Sequence, residues 1–174
     1  MMKGCVHYYY GDGKGKTTAA MGLALRSSNK NRVLYCQFLK NDRTNDIQVL
    51  KKVDNIDVFV LNWNYPFTFL MSESQKVESR EKLARYFGDI EKIVATGTYS
   101  MVVLDEIGDT ISLDYLDMDR IRQFIEKRPV EVEVVMTGHQ KIGGLEDLID
   151  YQTNLIKEKH PYDRGQKARS GIEY

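Results

Sequence analysis

CVHYYYGDGKGKTTAAMGLALR, residues Cys5 to Arg26, sets an apolar and aromatic run, a glycine-rich loop and an alanine-rich segment in immediate succession. That order reads as strand, phosphate-binding loop and helix. Gly11, Gly13 and Gly15 let the backbone take positive φ and turn its N–H groups toward an anion. Lys16 follows with an ammonium in reach of terminal phosphates, Thr17 offers a hydroxyl to Mg²⁺, and the opening helix adds its positive end. Tyr10 takes the place of the first glycine in GxxxxGK[ST], so a strict pattern search passes over this loop. A plain glycine turn would need neither Lys16 nor Thr17.

Outward from the loop, short Val-, Tyr- and Phe-rich runs alternate with stretches of helical period, the pattern of βαβ units and a mainly parallel sheet. The strands expected are Cys5 to Tyr10, Arg32 to Leu39, Ile56 to Leu61, Met101 to Asp105, Glu131 to Thr137 and Asn154 to Lys157. Leu83, Tyr86, Phe87, Ile90 and Val94 recur at spacings of three and four, which predicts a helix from Ser74 to Ala95. Met118, Ile121 and Ile125 predict a second, ending before Pro129, and a third is expected from Leu145 to Tyr151. No repeat or linker interrupts the chain, so residues 1–174 are expected to form a single α/β domain of the P-loop NTPase type.

Met101 to Leu104 is a buried-type strand that runs into Asp105 and Glu106, where such a domain places carboxylates beside a metal. Such a run is commonly a strand meeting its loop, and the upstream glycine loop is what gives it meaning. Lys16 and Glu106 are thus the candidate catalytic residues.

Lys plus Arg and Asp plus Glu both total 25 in 174 residues, leaving no basic excess for a nucleic-acid backbone. Two cysteines, Cys5 and Cys36, are too few for a disulfide framework and too far apart for CxxC, and both read as small buried hydrophobes. His7 and His160 have no ligand-spaced partners and read as structural. Neither a leader nor a membrane span is expected, which points to the cytoplasm.

A phosphate loop does not say which bond breaks. GDGKGKTTAAMGLALR (Gly11 to Arg26), VLYCQFLK (Val33 to Lys40), FTF (Phe67 to Phe69), MVVLDEI (Met101 to Ile107), VVMTGH (Val134 to His139) and KHPYDRGQKARSGIEY (Lys159 to Tyr174) narrow the choice. Together they resemble the ATP:corrinoid adenosyltransferases of the cobalamin pathway nearly end to end. The resemblance implies a RecA-like strand order, and transfer of the 5′-deoxyadenosyl group of ATP to the cobalt(I) of a reduced corrinoid with release of triphosphate. It implies that ATP lies reversed relative to ordinary P-loop enzymes.

In that family's terms, Gly11, Asp12, Gly13, Lys14, Gly15, Lys16, Thr17 and Thr18 hold the triphosphate, and Arg26 adds a phosphate contact. Thr17 and Glu106 take Mg²⁺, with Asp105 supporting them from behind. Phe67 and Phe69 form an aromatic wedge that displaces the lower axial ligand of the corrinoid. A homodimer and an electron-donating reductase are the partners implied, without nucleic acid or membrane. Phe69 stands where the family has Trp, and His139 where it has Arg. The N-terminal extension of some relatives is not expected here, so a lid over the corrin would come from elsewhere or from a partner subunit. Two other readings share the loop: a small-molecule kinase, which would release ADP, and a nucleotide switch that docks corrinoids without forming a cobalt–carbon bond.

Overall fold

The computed structural model describes residues 3–66 and 68–173, without the side chain of Phe69. Six strands form one all-parallel sheet: β1 (Val6–Tyr10), β2 (Val33–Gln37), β3 (Ile56–Val60), β4 (Met101–Asp105), β5 (Glu133–Gly138) and β6 (Tyr151–Asn154). Their order is β3-β2-β4-β5-β1-β6. Strand β5 therefore separates the strand that feeds the glycine loop from the strand that ends in Asp105, as a RecA-like order requires.

Helices cover both faces, which is why β2 and β4 are buried along their whole length. One face packs Val33, Tyr35, Val103 and Val135 against Ala20 and Ala24 of α1 (Lys16–Ser28) and Ile47 and Leu50 of α2 (Asn45–Leu50). The small alanines let α1 lie close on the sheet. The other face packs Leu34, Val102, Leu104 and Val134 under α3 (Glu73–Ala95), α4 (Ile107–Ser112) and α5 (Met118–Lys127). Leu83, Phe87, Ile90 and Val94 form the buried stripe of α3, which begins at a capping box between Ser72 and Gln75. Helix α5 is capped by Asp117 and stops at Arg128, which Pro129 holds extended.

Two expectations at the C-terminal side are corrected. Residues 145–150 are turn and bend, not a helix, and the last strand is Tyr151–Asn154 rather than Asn154 to Lys157. Leu145 is fully buried, but Asp150 accepts from the Val6 amide and draws the chain straight into parallel pairing with β1. Cys36 is buried as expected, whereas Cys5 is only half-buried.

Parallel pairing brings the carboxyl ends of the strands to one edge, with Tyr10 opposite Gly138 and Gln37 opposite Asp105. Among the described residues, no helix is long and apolar enough to cross a membrane.

Candidate active site

The segment between β1 and α1 turns through two left-handed glycines, Gly11 at φ 117° and Gly15 at φ 115°. A side chain at Gly11 would strike the Leu155 carbonyl and Asn154, so the strand extension after β6 fixes the loop from outside. Leu155 accepts the Gly13 amide at 2.8 Å, and Asp12 accepts the Lys157 amide at 3.0 Å. These contacts engage the Gly13 amide and the Asp12 carboxylate with the segment after β6, so both brace the loop even though their residues also border the cleft. At the inner side, the α1 N-terminus has neither a side-chain cap nor an acid in its first turn. Its amides face the cleft with the helix dipole behind them.

Lys16 reaches across the loop and donates to the Gly11 and Gly13 carbonyls at 2.7 and 2.8 Å. Burial lowers its pKa from the ordinary 10.5, and Asp109, Glu106 and Asp12 only partly oppose this. The hydroxyl of Thr17 donates to Asp105 at 3.0 Å, which aims its lone pairs away from that carboxylate.

Asp105 is completely buried, and besides Thr17 it accepts from Thr137 at 2.8 Å and from Gln37 and Lys40 at 3.4 Å. Four donors saturate its oxygens, so it orients its neighbours. Glu106 follows in left-handed geometry at φ 65°, with its amide held by Thr137 Oγ1 at 2.8 Å. Its carboxylate keeps 19% of its exposure and pairs with Lys40 at 2.8 Å. Burial raises its pKa, Lys40 pulls it down and Asp105 pushes it up, leaving it above the usual 4.5. For Lys40 burial works against the charge, but the two carboxylates outweigh it and its pKa is raised.

Around these groups lies a cleft of 660 Å³, walled by residues 12–18, by Lys40, Glu106 and His139 from other strand ends, and by 170–173 of the C-terminal segment. The sequence-derived candidates Lys16, Thr17, Thr18, Asp105 and Glu106 are thus brought together. Arg26 is not: it sits exposed in the last turn of α1, outside the cleft lining and roughly 15 Å along the axis from Lys16 at 1.5 Å per residue. Phe67 and the side chain of Phe69 lie outside the described residues. Nearby, the Tyr115 hydroxyl donates to Thr68 at 3.0 Å, while Trp63 packs edge-on against Tyr65 and Tyr115 in the core.

Three features had no assigned role in the sequence. Lys40 was visible only as the last letter of VLYCQFLK, with its partners far away along the chain. Asp109 accepts from His139 through both the backbone amide and the ring. The C-terminal segment folds over the loop and the start of α2, where Glu173 meets Lys14 at 2.9 Å and Ser170 accepts from Asn45 at 3.3 Å. A charged tail of this composition is ordinarily solvated.

Comparison with known proteins accords with this geometry. Residues 2–174 match the family model described as ATP:corrinoid adenosyltransferase BtuR/CobO/CobP. The chain is similar to the corrinoid adenosyltransferase of Escherichia coli K12, at 30% identity over 99% of this chain and 86% of that protein. It is 28% identical to corrinoid adenosyltransferase CobA of Salmonella typhimurium over the same shares, and 27% identical to the corrinoid adenosyltransferase of Pseudomonas aeruginosa over 99% and 84%. A six-stranded parallel sheet with a glycine loop facing two carboxylates, matched from end to end in this way, makes the chain an enzyme of the ATP:corrinoid adenosyltransferase family.

Proposed function

We propose that the chain binds MgATP with its triphosphate in the loop from Gly11 to Thr18 and transfers the 5′-deoxyadenosyl group to the cobalt(I) of a reduced corrinoid. The observation that carries this reading is one cleft lined by Lys16, Thr17 and Glu106, in which Asp105 accepts from Thr17 and shares Lys40 with Glu106. Cobalt(I) brings the electron pair and forms the Co–C5′ bond, while the C5′–O bond breaks and its electrons leave on triphosphate. The protein's share is to hold a leaving group that gains negative charge. Lys16, the amides at the start of α1 and the helix dipole supply fixed positive potential, and burial of Lys16 strengthens it by excluding water.

Thr17 Oγ1 and the Glu106 carboxylate fit Mg²⁺, a hard ion that takes oxygen ligands and keeps most of its coordination sphere for phosphates and water. Bound there, the ion would neutralise charge on the departing triphosphate. Asp105 holds the Thr17 hydroxyl, and Lys40 holds the Glu106 carboxylate. The corrin face is assigned to the segment around Phe67 and Phe69, and the active form to a homodimer in the cytoplasm served by a separate reductase.

The test mixes protein, MgATP and chemically reduced cobalt(I) corrinoid without oxygen, then follows the absorbance of the product in the dark and after illumination. A light-sensitive alkylcobalt species is expected. A nucleotide switch would leave the corrinoid unalkylated, and that result would overturn the proposal.

A further inference from the structure

His139 closes β5 on the cleft wall, its side chain 61% exposed, with Asp109 of α4 against it. Asp109 Oδ1 accepts from the His139 backbone amide at 3.1 Å, and its two oxygens lie 3.0 and 3.1 Å from Nδ1. A carboxylate accepts and does not donate, so Nδ1 carries the proton. Nε2 is then the nitrogen left for the cleft: a lone pair when the ring is neutral, an N–H donor when it is charged. The backbone contact fixes the ring's root and the side-chain contact fixes its tilt. A histidine held at two points by one carboxylate is oriented for a task.

We infer that His139, positioned by Asp109, is a proton-gated donor to the triphosphate, gripping the anion as imidazolium and releasing it as neutral imidazole. This rests on the reading of the cleft as the triphosphate site and adds a specific contact to it. The neutral ring would present its Nε2 lone pair to phosphate oxygens, which repels them, while the charged ring presents a charge-assisted hydrogen bond.

The charged and titratable groups around the ring are Asp109 and Glu106 at the start of α4, Lys16 of α1 and Tyr8 of β1, whose hydroxyl donates to the Gln140 carbonyl. The hydrogen bond to Asp109 raises the His139 pKa above its ordinary 6.5, burial opposes this, and the charge of Asp109 adds to the rise. A raised histidine pKa means the cation is present on the acid side and lost as pH rises through that value, so grip weakens toward alkaline pH.

The experiment measures binding of inorganic triphosphate with Mg²⁺ by calorimetry from about pH 5.5 to about pH 9, a range that spans histidine titration. Native protein, His139→Arg, His139→Gln and Lys16→Ala are compared. Because triphosphate itself titrates, the quantity read is the ratio of native to His139→Arg affinity at each pH. That ratio is expected to fall about tenfold across the range, as loss of one charge-assisted contact implies, while His139→Gln stays uniformly weak. In parallel, the His139 ring is titrated by NMR, with the His139→Gln spectrum supplying its assignment. Adding triphosphate should move the ring midpoint upward, because proton and anion binding are reciprocal.

A flat ratio with an unmoved midpoint would overturn the inference, provided Lys16→Ala abolishes binding. Native-like binding by Lys16→Ala would instead defeat the phosphate-loop reading, and the inference with it.

Discussion

Lys40 is the residue on which two carboxylates converge, 3.4 Å from Asp105 and 2.8 Å from Glu106. Without it, a buried aspartate and a half-buried glutamate would face each other with only neutral donors between them. Lys40→Met is therefore expected to cost about 2–3 kcal/mol, toward the lower end for a broken buried pair because Lys40 keeps 29% of its exposure. The cost should depend on pH. Losing Lys40 raises the Glu106 pKa further above its unfolded value, so the folded state binds more protons than the unfolded one and stability falls as pH rises past the ordinary 4.5. Urea unfolding of the variant at acid and neutral pH checks this: a larger loss at neutral pH is predicted, and an equal loss at both would contradict it. The sequence displayed Lys16, Thr17 and the two acids because they sit in local patterns. Lys40 and Asp109 sit in none, since their partners come from other strand ends, and only the fold reveals them.

Among the elements, α4 had no sequence signature, because six residues are too few to show a helical period. Yet α4 carries Asp109 and begins at Glu106, and its path past the end of β5 depends on Gly108. A methyl group there would collide with the Tyr8 hydroxyl and lie 3.1 Å from the Gly138 Cα. Gly108→Ala is expected to destabilise the protein by about 1–3 kcal/mol, the usual range for overpacking a tight contact. A chemical-denaturation midpoint unchanged from native would argue against this close approach. The long helix α3 was legible almost to the residue because its apolar stripe runs for several turns, and the structure adds the capping box of Ser72 and Gln75 at its start. Residues 145–151 misled for the opposite reason. Leu145, Leu148 and Ile149 have helical spacing, but they serve a turn, and β6 is so exposed and polar that no apolar alternation announces it.

Across the whole molecule, the sheet order β3-β2-β4-β5-β1-β6 decides what meets what. Periodicity identifies strands but is silent on their neighbours, because β1 pairs with β5 across most of the chain length. The end-to-end resemblance supplied the order, and the parallel register then explains why loop, carboxylates and His139 share one edge. An edge of this kind would serve a kinase equally well, so the distinguishing claim concerns which bond of ATP breaks. ATP labelled with ¹⁸O at the oxygen bridging C5′ and the α-phosphorus, turned over with cobalt(I) corrinoid, tests it most directly. Attack at C5′ predicts that the label leaves in intact inorganic triphosphate, whereas label retained in ADP would contradict adenosyl transfer.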